Sequence, residues 1–165
     1  MKTTSLIFRI FFISVIVLFS SCSEDDSKND EIAICQETVV TMIVNGETQT
    51  FYAYGRGIGI RSDGYELIIN VGRNVQNPLG EQDIAIYLPY KATGKNIIEQ
   101  FIYSQYKDNI IFRGDFLDGE LQSNVLVNTK SCFRMTFSGK LSDGNQEIVI
   151  TEGKISYMYD ESFSE

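Results

Sequence analysis

The chain has 165 residues, a net charge of −8, three cysteines, no histidine and no tryptophan. This length provides one domain with a substantial hydrophobic core but not two of ordinary size. The negative charge argues against nucleic acid or anionic lipid as a partner. The absence of histidine removes the usual general base of serine and cysteine hydrolases, and an enzyme is not expected. No cofactor is predicted either.

The beginning of the chain has the layout of a removed secretory signal. Lys2 and Arg9 give a basic start, and an apolar run over residues 10–19 is followed by two serines. The apolar run is about half of the roughly 20 residues that a membrane-spanning helix needs. We therefore expect residues 1–21 to be cleaved rather than to remain as an anchor.

Ser20, Ser21 and Cys22 resemble a bacterial lipobox, although Phe19 stands where that motif usually has leucine. The resemblance implies that Cys22 becomes the first mature residue and carries a diacylglyceryl group and a further acyl chain. Two or more chains hold a protein firmly at a membrane, whereas a single chain binds marginally. Ordinary signal cleavage, with Cys22 unmodified, is the alternative.

Residues 22–34 are expected to form an acidic flexible tether. They contain the run SEDDSKNDE, which cannot bury enough apolar surface to offset its ordering entropy. An acidic run directly after a lipidated cysteine is similar to the export tag of Bacteroidota-type lipoproteins. That resemblance implies display on the outer membrane at the cell surface, with the periplasmic face as the alternative. A single β-rich domain is expected over residues 35–165.

Of the three cysteines, Cys35 and Cys132 remain available as a pair once Cys22 is lipidated. In an oxidising envelope compartment this pair predicts a disulfide, which would close a loop of about 97 residues. Two unpaired thiols are the alternative. The sequence has no CxxC pair or Cys/His cluster that would support a zinc or redox site.

Short alternating segments separated by turn dipeptides follow one another along the domain. The Asn45-Gly46 pair gives the strongest hairpin signal, and a phase slip near Gly153 predicts a β-bulge. About eight antiparallel strands indicate an all-β sandwich or barrel, and the pattern does not choose between them. The predicted strands cover residues 38–45, 48–54, 65–71, 83–88, 109–112, 121–127, 131–141 and 146–159.

The run YGRGIGI presents Gly55, Gly57 and Gly59 on one parity. It predicts a bend or barrel corner. As a strand, it would leave one face bare of side chains, which permits close approach by an aromatic ring or a ligand.

The segment near 97–106 is ambiguous. Its apolar residues have helical spacing, and Asn96 with Glu99 resembles a capping box. The pattern favours one short helix covering an open end or face of the sheet, with a β-strand as the alternative.

Two groups of polar residues give only weak signals of a catalytic or metal site. Ser104 and Lys107 fit the S-x-x-K pattern of Ser/Lys acyl enzymes, but the further motifs of those enzymes are missing from the sequence. Asp115, Asp118 and Glu120 could supply oxygen ligands to calcium, yet their spacing departs from that of an EF-hand loop. No metal site is therefore predicted.

Tyr87, Tyr90, Tyr103 and Tyr106 are the candidate ligand-facing aromatic residues. Tyrosine combines an apolar ring with a hydroxyl, as ligand sites require, while core packing is the structural alternative. The layout is similar to that of small single-domain, β-rich Bacteroidota lipoproteins of unknown function, a family with no activity to transfer.

The anchor and the all-β pattern together predict a non-catalytic binding module for a glycan, peptide or protein ligand. A structural accessory, or an immunity or inhibitor lipoprotein of the envelope, is the alternative function.

Overall fold

The computed structural model describes residues 35, 37–73, 81–107, 110–116 and 120–164, without the side chains of Lys107 and Ile110. Within these ranges no helix is long and apolar enough to cross a membrane. The ordered elements are the strands β1 (Val39–Val44), β2 (Glu47–Arg61), β3 (Gly64–Gly72), β4 (Gln82–Pro89), β5 (Gly94–Lys95), β6 (Gln100–Lys107), β7 (Ile110–Phe116), β8 (Gln122–Asn128), β9 (Cys132–Ser142) and β10 (Glu147–Met158).

The sheet closes on itself. Its strands follow the order β10, β1, β2, β3, β4, β6, β7 and β9, and a further pairing of β9 with β10 completes the circle. All of these pairings are antiparallel. The fold is therefore a closed antiparallel barrel of eight strands, which decides between the barrel and the sandwich. The additional strand β8 pairs with β9, and β5 pairs with β8.

Alternation along the strands fills the interior. In β4, Ile84, Ile86 and Leu88 are fully buried, while the residues between them lie on the outer wall. In β9, Phe133 and Met135 occupy the equivalent inward positions. Burial of such side chains contributes roughly 1.5–3 kcal/mol each. The wall therefore presents polar and partly exposed residues to the outside.

The predicted hairpin at Asn45-Gly46 is confirmed. Asn45 and Gly46 have φ angles of 49° and 86°, and two positive φ angles in succession define the type I′ turn that matches strand twist. Val44 pairs with Glu47 directly across this turn. The turn thus fixes the register of β1 against β2.

The predicted bulge near Gly153 is also confirmed. The register of β10 against β9 shifts between Ile150 and Gly153, and Glu152 has a φ of 52°. A Cβ on Gly153 would lie 2.7 Å from the Phe137 ring and 2.7 Å from its carbonyl oxygen. The bulge restores the inward facing of Ile155, which is 1% exposed.

The helix expected near 97–106 is wrong. This segment leads into β6, which pairs with both β4 and β7. Asn96 has a φ of 53°, whereas a helix N-cap needs extended backbone. Phe101 and Tyr103 point into the barrel and Ile102 lies outside. Pairing in the closed barrel requires side chains to alternate between the inside and the outside, and this requirement has overridden the helical spacing.

β2 continues through the alternating glycines instead of ending at a corner. A register shift between Ala53 and Gly55 places a bulge at Tyr54. Beyond it, Gly57 and Gly59 pair with partly exposed residues of β3 on the outer wall, and a Cβ on Gly57 would meet no atom within 4 Å. The run therefore forms a strand with one bare outer face.

A disulfide and backbone hydrogen bonds hold the two ends of the domain against the barrel. A disulfide joins Cys35 to Cys132, whose Cα atoms are 6.2 Å apart, and it ties the segment before β1 to the start of β9. After β10, the backbone amides of Tyr159 and Phe163 donate to the carbonyl oxygens of Ser131 and Lys130 respectively. We call residues 159–163 the C-terminal cap.

Candidate functional site

The structure does not bring the four candidate tyrosines together. Tyr103 lies in the core, where burial raises its pKa to about 12. Tyr90 follows β4 and packs edge-on against Phe163, with 5.7 Å between the ring centroids. Tyr87 and Tyr106 lie towards opposite ends of the β4–β6 pair. Of the four, Tyr106 lines a hollow in the outer wall.

Five residues align beside this hollow across five neighbouring strands. Tyr52 of β2 pairs with Gly72, and Gly72 pairs with Asp83 of β4. Asp83 pairs with Ser104 of β6, which in turn pairs with Arg113 of β7. Adjacent strands lie about 4.8 Å apart, so the row is about 19 Å long. We call these residues the Asp83 row.

Aromatic and apolar side chains flank the Asp83 row. Tyr54 bulges from β2 on one side, and Tyr106 pairs with Ile111 on the other, where their side chains are 49% and 68% exposed. Exposed rings beside polar groups are typical of ligand sites. The hollow has a volume of about 290 Å³ and is lined by Glu81, Gln82, Asp83, Ser104, Gln105, Tyr106 and Ile111.

Asp83 is partly desolvated on this wall. Burial raises the pKa of its carboxyl, and the positive charge of Arg113 offsets part of that effect. Burial also raises the pKa of the Tyr54 hydroxyl, and the negative charge of Asp83 adds to it. Asp83 and Tyr54 therefore lie close enough to interact electrostatically.

One oxygen of Asp83 lacks a hydrogen-bond partner within the described part of the chain. Its Oδ1 atom is buried and accepts no hydrogen bond from any residue that the structure describes. A buried acceptor without a donor costs free energy, and such groups are uncommon in native proteins. A bound ligand with hydroxyl or amine donors would satisfy this oxygen.

The Asp83 row and the tyrosines that flank it can therefore accept hydrogen bonds, donate them and stack against a ligand. Asp83 supplies an acceptor, Arg113 supplies a fixed fork of donors, and the Ser104 hydroxyl can do either. Tyr54 and Tyr106 add apolar ring faces. This set of groups suits a ligand that is rich in hydroxyls and has apolar faces of its own.

The other candidate residues contribute less. Asp115 and Glu120 are exposed, and Asp115 Oδ1 accepts a hydrogen bond from the backbone amide of Phe116 at 2.8 Å. Asp118 and Cys22 lie outside the described residues. Within the described part of the chain, no three acidic, cysteine or histidine side chains are grouped to hold a metal ion.

Sequence reasoning missed Asp83, Tyr52, Tyr54 and Arg113. A signal for Asp83 was present, since it is a charged residue at the start of the otherwise apolar strand DIAIYL. Tyr52 and Arg113 carried no such signal, because they are 31 and 30 positions away from Asp83 in the chain. Only the strand register brings them together.

Comparison with known proteins gives no assignment: no family model matches the chain, and no curated protein or solved structure is significantly similar to it. Function is therefore argued from the residues of the site rather than from the fold, since one fold supports many functions.

Proposed function

We propose that the protein is a lipid-anchored module of the cell envelope that binds a glycan at the Asp83 row without converting it. The observation that carries this proposal is the half-buried Asp83 carboxylate, whose Oδ1 accepts no hydrogen bond from a described residue and lies in a hollow lined by Tyr106. Sugar hydroxyls donate readily to a carboxylate, and the apolar face of a sugar ring packs on tyrosine.

The size of the hollow favours a short ligand. Its volume of about 290 Å³ is at the lower end of the range for small-molecule pockets. The row beside it is about 19 Å long, so further sugar units would extend over Gly72, which has no side chain, toward Tyr52. A chain end or a short branch fits this arrangement.

The proposed location follows from the start of the chain. Lipid on Cys22 and the acidic tether would place the barrel outside the outer membrane, where glycans are accessible. The Cys35–Cys132 disulfide supports an oxidising compartment. Labelled palmitate should be incorporated by the wild type but not by a Cys22→Ala variant, and protease applied to intact cells should remove the barrel. Membrane partitioning that the alanine variant retains in full would contradict the anchor.

A glycan array tests the binding proposal. The purified protein should retain a defined set of glycans, and Asp83→Asn and Tyr106→Ala should each weaken retention by about tenfold, since a charged hydrogen bond or a stacked ring contributes roughly 1–2 kcal/mol. Tyr65→Ala is the matched control, because Tyr65 is 60% exposed and lies outside the hollow. Equal loss of binding in all three variants would show that Asp83 and Tyr106 have no specific role.

The array also separates the alternative functions. An accessory or inhibitor lipoprotein would bind no glycan, and a co-purifying envelope protein would be lost on substitution of the exposed Ile111 or Tyr52.

One observation favours a hydrolase as a second candidate. Glu81 and Asp83 both line the hollow, and glycoside hydrolysis uses two carboxyl groups, one with a raised pKa. The discriminating measurement is product release from any glycan that the array identifies. Hydrolysis that is abolished by both Glu81→Gln and Asp83→Asn would establish catalysis, whereas an intact glycan after prolonged incubation supports binding alone.

A further inference from the structure

A second aligned row lies on the opposite arc of the barrel wall. Thr41 of β1 pairs with Lys154 of β10, which pairs with Thr136 of β9. Thr136 pairs with Asn124 of β8, and Asn124 pairs with Lys95 of β5. These five polar residues run across five strands over about 19 Å. They lie in an open groove of about 660 Å³, which we call the lysine groove.

One wall of the lysine groove is held by reciprocal hydrogen bonds. The backbone amide of Asn96 donates to the carbonyl oxygen of Ser123 at 2.9 Å, and Asn96 Oδ1 accepts from the amide of Ser123 at 2.8 Å. The left-handed φ of Asn96, 53°, allows this geometry. Lys95 is therefore anchored on a fixed segment rather than on a free loop.

The β8 groups that face the lysine groove follow from strand alternation. Ser123 is 6% exposed and pairs with the buried Phe137, so its side chain faces the barrel interior. Its neighbours Gln122 and Asn124 point to the opposite face and line the groove.

The chemistry of the lining indicates the class of ligand. Hydroxyl and amide groups, including those of Gln122 and Ser138, lie beside Lys95 and Lys154, with one acid, Glu152, among them. The groove therefore has a local excess of positive charge in a chain whose net charge is −8. The two lysine Cα atoms are three strands apart, which corresponds to about 14 Å.

We propose that the lysine groove binds an acidic polysaccharide. Lys95 and Lys154 would pair with separate carboxylate or sulfate groups along the polymer, and the hydroxyl and amide groups between them would bind its sugar hydroxyls. A nucleic acid is a poor fit, because its closely spaced phosphates would meet two lysines on an otherwise acidic protein. This site is independent of the Asp83 row, since the two rows share no strand.

Binding of oligogalacturonate to the purified full-length protein in mild detergent tests the proposal. The methyl-esterified oligomer is the matched ligand control, because it keeps the sugar hydroxyls and removes the charges. The free acid should bind at least tenfold more tightly than the ester. Lys95→Gln and Lys154→Gln should each weaken its binding by about tenfold, and Glu152→Gln should strengthen it.

Lys140→Gln is the matched protein control, since Lys140 is exposed on β9 outside the groove. It should leave binding unchanged, as should Asp83→Asn, which separates this proposal from the role of the Asp83 row. Equal binding of acid and ester, no binding of the acid, or full binding by the Lys95→Gln/Lys154→Gln double variant would each overturn the proposal.

Discussion

The guanidinium carbon of Arg56 lies 4.8 Å from the centroid of the Tyr159 ring, and it lies 4.9 Å from the centroid of Phe163. Arg56 also donates a hydrogen bond to the carbonyl oxygen of Glu161. Tyr159 and Phe163 themselves pack at 5.3 Å between centroids. An arginine of β2 thus holds the C-terminal cap on the barrel.

The first prediction concerns the stability of this cap. A cation over a desolvated ring contributes up to about 2 kcal/mol, and removal of a packed aromatic side chain costs more when its site is buried. We expect Arg56→Ala and Phe163→Ala each to lower the free energy of unfolding by about 2 kcal/mol. Tyr65→Ala, at an exposed position, should change it by less than about 0.5 kcal/mol. Urea unfolding measures all three, and equal stability of the three variants would argue against the cap.

The second prediction concerns Asp83 and pH. Because burial raises the pKa of this carboxyl in the folded protein above its ordinary value of 3.8, ionised Asp83 destabilises the fold. The penalty is fully present above the raised pKa and disappears as the pH falls below 3.8. Asp83→Asn should therefore be more stable than the wild type at pH 7.

The stability difference between these two proteins should shrink as the pH falls from 7 through the raised pKa of Asp83. Chemical unfolding at a series of pH values measures it. An asparagine variant that is less stable than the wild type at neutral pH would mean that Asp83 stabilises the fold instead of serving a ligand.

The third prediction compares two glycines. A Cβ on Gly153 would lie 2.7 Å from the carbonyl oxygen of Phe137, whereas a Cβ on Gly57 would meet no atom within 4 Å. Gly153→Ala should therefore cost about 2–3 kcal/mol of stability through overpacking. Gly57→Ala should leave stability unchanged or raise it by less than about 1 kcal/mol. Thermal unfolding of both variants checks the bulge, and similar melting temperatures would contradict it.

The fourth prediction concerns the disulfide. Cys35 and Cys132 are 97 positions apart, and a cross-link over such a loop stabilises by roughly 4.7 kcal/mol in the chain-entropy model. Reduction should lower the free energy of unfolding by about this amount. The Cys35→Ser/Cys132→Ser double variant should have the lower stability already and should not respond to the reductant. A wild type that is equally stable with and without reductant would exclude a structural role.

Local signals in the sequence predicted much of the fold. Asn45-Gly46 determined a turn because two residues with positive φ are needed there, and the phase slip before Ile155 required an extra residue in β10. The prediction of a short helix was wrong because, over so short a stretch, Phe101 and Ile102 fit both the helical period of about 3.6 residues and the strand period of two. Closure of the barrel could not be predicted from the sequence. It depends on β10 pairing with β1 as well as with β9, and β1 and β10 are at opposite ends of the domain in sequence.

The candidate site was harder to predict than the fold. Tyr106 was selected for its residue type and its place in the cluster of tyrosines around the 97–106 segment, but Tyr103 from the same cluster is part of the core. Asp83 and Arg113 are 30 positions apart, and only the registers of β4, β6 and β7 place them on the same face, two strands apart. A one-residue slip in either pairing would move one of them inside the barrel.

The most direct test of the central claim is a titration of the Asp83 carboxyl carbon by NMR, with and without a glycan found on the array. A ligand whose hydroxyls donate to Asp83 stabilises its charged form. The pKa of Asp83 should therefore be above 3.8 in the free protein and should fall when the glycan binds. An Asp83 titration that is the same with and without the bound glycan would contradict the proposed site.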